Sequence, residues 1–385
     1  MRKKIAHLQL LPMLSGVQRV SYQELAHLDE GIEAHILCKE RGELVTELEA
    51  VGVSFRGIPS LQRAIHPWKD FQAFCQLYSL FKSEEYDVVH THSSKTGFLG
   101  RLAAKLAGVP CIVHTIHGFA FPAAKSKFEY IVYWLLEWIA GRCCDVVIAL
   151  TESDRLICTK SLGIDESSVR LLPNAVDRTV YYPVNELDRS SLRKSVLSED
   201  VDEVVAVMVG RMWEQKAPEL FVRAAIRAFE QSGNLRLKLY LVGDGELRNG
   251  LEKEVAEAGL SERIKFLGWR SDVPDILRAS DIFVLPSRWE GMPLAILEAL
   301  ATKLAVVVSD IPGNRAALGQ RECGVTFPAE SVDDLSTILV QLTEHSEMRR
   351  KYAEKGCQHI SDNHDLENRI CKIRDLYNQI LSSKL

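Results

Sequence analysis

Two carboxylates and two cations in this chain stand out by type and spacing. The segment Trp289-Glu290-Gly291-Met292-Pro293-Leu294-Ala295-Ile296-Leu297-Glu298-Ala299 follows an apolar run, Asp281–Leu285, that reads as a strand ending at Pro286. Gly291 permits a sharp turn, and Pro293 fits the first turn of a helix, where its missing N–H costs nothing. Glu290 then sits on a loop and Glu298 on the following helix, where the two could converge on one ligand beside the positive helix N-terminus. Carboxylates accept from sugar hydroxyls and backbone N–H groups donate to phosphate, so the pattern suits a ligand that carries both. The bland alternative is a solvated loop residue and a surface helix residue, and the strand-Pro-Glu-Gly-x-Pro context argues against it.

The second signal is Val209-Gly210-Arg211-Met212-Trp213-Glu214-Gln215-Lys216, between another apolar run and a helix opened by Pro218. Arg211 offers a planar fork for phosphate and Lys216 a flexible point charge. Each charge-assisted bond is worth roughly 1.5–3 kcal/mol, and two of them on a diphosphate stabilise the charge that develops as it leaves. A basic pair on a loop can equally be solvated.

These segments need elements to position them. Apolar runs at Ile5–Leu11, Glu33–Cys38, Val53–Gly57, Asp87–His92, Cys111–Thr115, Asp145–Leu150 and Val169–Leu172 alternate with helical stretches such as Trp68–Glu84, Gly97–Ala107 and Ser126–Ala140. After a polar stretch, Asn185–Asp202, a second series has strands at Val204–Gly210, Lys238–Val242, Ile264–Leu267, Asp281–Leu285 and Ala305–Ser309. Alternating strands and helices imply parallel sheets covered on both faces. The expected fold is therefore α/β, with two doubly wound Rossmann-like domains facing across a cleft and a ligand at the carboxyl ends of the strands.

Composition sets the outer bounds. The chain has 385 residues, 46% hydrophobic and 26% charged, with 47 Lys and Arg against 52 Asp and Glu for a net charge of -5. That is an ordinary globular composition, and it gives no general reason to expect a nucleic-acid partner. Nine scattered Cys without a C-x-x-C pair suit neither a disulfide framework nor a zinc site and point to the cytoplasm. Met-Arg-Lys-Lys followed by Ile5–Leu14 reads as a first buried strand rather than a signal peptide, because Pro12 and Gly16 interrupt it.

At the positions quoted, the chain resembles the family 4 glycosyltransferases, which have the GT-B fold and act with retention of configuration. Glu290 and Glu298 match the family's E-x7-E motif, and Arg211 and Lys216 its diphosphate-binding pair. Pro173-Asn174-Ala175-Val176-Asp177 resembles its P-N-G-V-D segment, and Leu241-Val242-Gly243-Asp244-Gly245 its G-x-G turn facing the donor. The resemblance implies that Glu298 holds ribose hydroxyls, Glu290 hydroxyls of the transferred sugar, and Arg211 and Lys216 the diphosphate. It places Gly268–Val273, with Arg270 and Asp272, by the nucleobase, and Ser15-Gly16 by the donor phosphate. His117 matches a family histidine beside the reacting sugar, although a His satisfied by loop backbone is the plain alternative. Ser15, Ala175 and Ala217 stand where the family usually has Gly.

The resemblance also implies the domain plan: residues 1–174 on the acceptor side, 175–362 on the donor side, and a helix over 363–385 returning to the first domain. His90-Thr91-His92-Ser93-Ser94-Lys95-Thr96-Gly97 and His117-Gly118-Phe119-Ala120-Phe121 resemble a bacterial subset that builds O-antigen, capsule and exopolysaccharide on undecaprenyl diphosphate. Lys95 and Arg101, at the start of a helix, are candidate contacts for an anionic acceptor. The aromatic stretch Phe128–Trp138, flanked by Lys125, Lys127 and Arg142, suits peripheral contact with the cytoplasmic face of an inner membrane, or packing on its own sheet.

No cofactor or metal is expected. Asp200-Val201-Asp202 falls in the charged linker, and no carboxylate at ligand spacing joins His90 and His92. The function expected is transfer of a hexose or N-acetylhexosamine from a nucleotide-diphosphate sugar, UDP foremost, to a lipid-diphosphate-linked sugar. The rival readings are a nucleotide-sugar 2-epimerase of the same fold and a non-catalytic nucleotide-sugar-binding protein.

Overall fold

The computed structural model describes residues 3–29, 31–121, 124, 126–198, 203–319 and 321–383. Its contacts divide the chain into two units, Met1–Asn174 with Glu367–Leu385, and Ala175–Leu366. Asp200-Val201-Asp202 and Lys125 lie outside the described residues.

The first unit is built on seven parallel strands: β1 (Lys3–Leu8), β2 (Ile32–Cys38), β3 (Ser54–Gly57), β4 (Val88–His92), β5 (Cys111–Ile116), β6 (Val146–Ala149) and β7 (Val169–Leu171). They run in the order β3-β2-β1-β4-β5-β6-β7. Its helices are α1 (Gly16–Ala26), α2 (Glu43–Ala50), α3 (Pro67–Glu84), α4 (Ser94–Ala107), α5 (Lys127–Gly141) and the short α6 (Glu152–Leu156). The last helix of the chain also belongs here. Its Ile373, Leu376 and Tyr377 pack against Ile5, Val88, Val113 and Ile148 of the sheet.

The second unit has six parallel strands: β8 (Val204–Val209), β9 (Leu237–Val242), β10 (Ile264–Gly268), β11 (Ile282–Leu285), β12 (Ala305–Ser309) and β13 (Val325–Phe327), in the order β10-β9-β8-β11-β12-β13. Around them lie α7 (Glu186–Leu192), α8 (Pro218–Gln231), α9 (Arg248–Glu257), α10 (Val273–Arg278), α11 (Leu294–Ala301), α12 (Pro312–Leu318), α13 (Val332–Glu344) and α14 (Ser346–Asn363). The final helix is α15 (Leu366–Ser383).

Both sheets reverse their winding beside their first strand, β1 against β4 and β8 against β11. Loops leaving those two strands diverge and open a crevice at the carboxyl edge, where doubly wound sheets bind their ligands. Strand β13 escapes the sequence reading because it is three residues long and its apolar pattern is broken by Thr326. Strand β1 ends at Leu8 rather than Leu11, because its pairing with β2 and β4 stops there.

Candidate active site

In the second unit, the loops after β8 and β11 are neighbours across the reversal and are tied to each other. Lys216 Nζ lies 2.5 Å from Glu290 Oε1, with Glu290 nearly buried and Lys216 one-fifth exposed. The Ser287 hydroxyl donates to the same carboxylate oxygen at 2.7 Å. Gln215 donates to the Trp289 carbonyl at 3.0 Å, and the Arg288 amide donates to the Gln215 carbonyl at 2.8 Å. Behind this loop, the buried Asn314 donates to Ser309 at 3.0–3.1 Å, and the Ser309 hydroxyl donates to the Ser287 carbonyl. The loop is thus held from below by β12 and α12, leaving its carboxylate at the sheet edge.

Glycines set how closely these segments meet. A Cβ at Gly313 would stand 2.2 Å from the Gly291 carbonyl oxygen and 2.4 Å from that of Glu290. Helix α12 therefore backs directly onto the Glu290 loop, a contact that sequence reasoning did not single out. Gly243 has φ +125, and a Cβ there would stand 2.1 Å from the Gly210 carbonyl oxygen, so the turns after β8 and β9 need glycine at that point. Ala217 takes the left-handed conformation at φ 49 and ψ 49, just before α8. That geometry explains why the related motif has Gly here, and the Cβ costs on the order of 1 kcal/mol.

Glu298 lies on α11 and is 8% exposed. Pro293 is the residue before that helix rather than its first turn, which still puts Glu298 in the second turn. Arg211 stacks over Trp213, 4.5 Å from the ring centroid. Arg270 and Asp272 pair with each other in a fork, Nε to Oδ1 at 2.7 Å and Nη2 to Oδ2 at 2.5 Å, both about one-third exposed. That pairing holds the Asp272 carboxyl below its ordinary value and raises the Arg270 guanidinium. Asn174 is buried at the boundary of the first unit.

In the first unit, Ser15 precedes α1 and donates to Gln18 Oε1 at 3.0 Å. Gly16 opens α1 with open space where a Cβ would be, so a ligand can come close to the first amides of that helix. His117 is partly buried just past β5, and its Nε2 lies 3.0 Å from His92 Nδ1. Burial, with the Arg369 guanidinium adding to it, lowers the His117 pKa to about 3. His117 is therefore a neutral imidazole, fit to exchange hydrogen bonds with a sugar hydroxyl and unfit to be an imidazolium acid.

On the acceptor side the structure departs from the expectation at Arg101 and shows what Lys95 and the two strand histidines touch. Arg101 does not face an acceptor: it is 1% exposed, with Nη2 2.7 Å from Glu137 Oε2 and Nε donating to the Gly97 carbonyl at 2.8 Å. Lys95 is engaged by Asp70 at 2.6 Å and by the Ala64 carbonyl. His90 and His92 are fully buried residues of β4. The helix start is shaped by small residues: a Cβ at Gly97 would meet the His114 ring at 2.5 Å, and one at Gly100 would meet Leu8 and Thr91.

A carboxylate does join those histidines. Among the described residues, ligand-type atoms of His7, Glu24, His90 and His92 all lie within 4.8 Å of one another. The charge around them disfavours a cation, because Arg369 Nη2 lies 2.6 Å from Glu24 Oε1 and adds to the effects that hold His90 neutral.

Two family models cover the chain in sequence. "Glycosyltransferase Family 4" matches residues 14–180, and "Glycosyl transferases group 1" matches residues 190–359. Over 384 residues the chain is 42% identical to the UDP-Gal:alpha-D-GlcNAc-diphosphoundecaprenol alpha-1,3-galactosyltransferase of Escherichia coli, covering 99% of this chain and 98% of the relative. The chain belongs to the family 4 glycosyltransferases. It is accordingly a glycosyltransferase, and its two doubly wound units are those of the GT-B fold. Solved structures agree on the fold. Anabaena HepE in complex with UDP and glucose superposes with a TM-score of 0.83 at 18% identity, covering 98% of this chain and all of that one. WaaG, a glycosyltransferase involved in lipopolysaccharide biosynthesis, gives 0.75 at 15%, covering 97% and 99%.

Proposed function

We propose that this glycosyltransferase moves a hexose, galactose foremost, from a UDP-sugar to an N-acetylglucosamine carried on undecaprenyl diphosphate, forming an α linkage in bacterial surface polysaccharide synthesis. The observation that carries the reading is the 42% identity, spread over both units, to a relative named for that donor and acceptor. The second unit supplies groups suited to the donor. Arg211 and Lys216 neutralise the diphosphate as it leaves, Glu290 accepts from hydroxyls of the transferred sugar, and Glu298 accepts from ribose hydroxyls. Arg270 and Asp272 flank the base, and the Gly243 turn gives the donor backbone to lie against. In the first unit, the α1 amides at Ser15-Gly16 suit phosphate, and the neutral His117 suits a sugar hydroxyl.

The test is transfer to GlcNAc-diphosphoundecaprenol from a panel of UDP-sugars, with the anomeric configuration of the product read by NMR. UDP-galactose is expected to be used fastest and to yield the α product. Equal use of all donors, or a β product, would overturn the assignment. Conversion of the UDP-sugar at C2 without acceptor would mark an epimerase instead.

The same reading places the first unit at a lipid surface. Phe128, Ile131 and Leu135 are 78%, 60% and 44% exposed and share one stripe of α5. Trp68 and Phe71 of α3, at 64% and 56%, add aromatic surface beside the exposed Lys69. Among the described residues no helix is long and apolar enough to cross a membrane, so the contact proposed is peripheral. Changing Phe128 and Leu135 together to Ser is expected to abolish cosedimentation with vesicles rich in anionic phospholipid, while turnover on a short-chain, water-soluble acceptor is kept. Undiminished vesicle binding by that variant would remove α5 from the contact.

A further inference from the structure

The buried histidines of the first unit form one continuous hydrogen-bonded path. Thr115 Oγ1 meets His90 Nε2 at 2.8 Å, and His90 Nδ1 meets the Tyr377 hydroxyl at 2.6 Å. The same hydroxyl meets His7 Nε2 at 3.0 Å, and His7 Nδ1 meets His92 Nε2 at 3.1 Å. His92 Nδ1 then meets His117 Nε2 at 3.0 Å. Every imidazole on the path is neutral, because burial lowers His7 to about 3 and His90 and His92 well below their ordinary value. Burial likewise raises the Tyr377 phenol well above its own, so it keeps its proton.

A neutral imidazole has one N–H and one bare nitrogen, and a phenol has one hydrogen to give. With both nitrogens of His7, His90 and His92 engaged, and no acceptor off the path for the Tyr377 hydrogen among the described residues, the hydrogens run all one way or all the other. In the outward arrangement Thr115 donates to His90, His90 to Tyr377, Tyr377 to His7, His7 to His92, and His92 to His117. His117 then accepts at Nε2 and carries its own hydrogen on Nδ1. In the inward arrangement every donor and acceptor is exchanged, and His117 Nδ1 is bare.

Glu24 tells the two apart. Its Oε2 is buried without a hydrogen-bond partner, 3.9 Å from His7 Nδ1 and 3.8 Å from His90 Nδ1. Those distances are too long for hydrogen bonds, but inside a protein a charge still acts strongly across them. In the outward arrangement both Nδ1 atoms facing the carboxylate carry hydrogens, whereas in the inward one both present lone pairs to it. Burial raises the Glu24 carboxyl above its ordinary value, although Arg369 pulls against it. Arg369 cannot give up its proton, so the carboxylate remains its counter-ion.

We propose that Glu24, acting through Tyr377, His7 and His92 as positioning residues, fixes His117 as the tautomer with its hydrogen on Nδ1. That hydrogen makes no bond to the described residues and is available to donate to a hydroxyl oxygen of the bound sugar. Cooperative polarisation along the path strengthens the donor.

The test reads the tautomer of His117 in the full chain by two-bond 1H–15N correlation after 15N-histidine labelling, with His117→Gln assigning the signal. Neutral Nδ1–H is expected in the wild type. In Glu24→Gln the amide oxygen accepts from Arg369 and the amide NH2 faces His7 and His90. The path is expected to reverse, leaving His117 as Nε2–H. Only the kinetic readout rests on the transferase reading: kcat is expected to fall about tenfold, the worth of one donor bond, with KM for the UDP-sugar within about twofold. A wild-type His117 that is Nε2–H or protonated near neutral pH overturns the proposal, as does Nδ1–H retained in Glu24→Gln. The wild-type spectrum decides the direction even if the variant does not fold.

Discussion

Glu290→Gln is expected to lower turnover by about 10²–10³ with the fold intact. Glu290 Oε1 takes hydrogen bonds from Lys216 and Ser287, so the carboxylate is held in one orientation. The amide keeps its shape and loses the charge that makes its hydrogen bonds to sugar hydroxyls about twice as strong as neutral ones. Stability should change little, because the loop is also tied through Gln215, Arg288 and the Asn314–Ser309–Ser287 ladder. UDP affinity is expected to stay within a few-fold, because Arg211 and Lys216 remain. Initial rates on the lipid-linked acceptor and calorimetry with UDP check the two halves separately. Near-normal turnover would remove Glu290 from the chemistry.

Arg101→Ala is expected to cost the protein about 3–5 kcal/mol of stability, because it strands the buried Glu137 carboxylate. For a unit of this size that is a fall in Tm of roughly 6–20 °C. The pair joins α4 to α5, and Arg101 also caps the Gly97 carbonyl within α4. Arg101→Met combined with Glu137→Leu is expected to recover most of the loss, because the desolvation of two ions disappears with their attraction. Scanning calorimetry of the single and double variants measures both. A single variant as stable as wild type would mean that the pair contributes nothing, and acceptor use lost without any loss of stability would return Arg101 to the acceptor side.

Arg101 also shows where reading the sequence ended. On a helix drawn from sequence it lies four residues before Lys105 and looks like part of one charged face. In the structure it follows the face of Gly97, Gly100 and Ala104, which faces inward because its small residues let α4 settle onto β4 and β5. Its partner Glu137 is 36 positions away, and nothing local announces it. The histidines were half legible. Period-two alternation puts His90 and His92 on one face of β4, but the groups they bond come from β1, α15 and the end of β5. Glu24 sits on a helix whose buried face includes Gln18 and Ser21, so no apolar stripe marks the side that turns inward. The donor-side motifs were legible because each is local: a strand end, a turn residue and a helix start within about a dozen positions. The Gly313 contact joins two such segments, so each half could be seen without the fit between them.

The Lys216–Glu290 pair described above bears on how the reaction ends. Each of these two charges has its partner in the other. A nucleotide-sugar offers phosphate to the lysine and hydroxyls to the carboxylate, and can part the pair without leaving either side wanting. On the proposed roles, a nucleoside diphosphate left after transfer offers a partner to the lysine but none to Glu290, which can then draw that lysine back. If Lys216 and Glu290 hold the donor as proposed, the spent nucleotide is a poorer occupant than the fresh one.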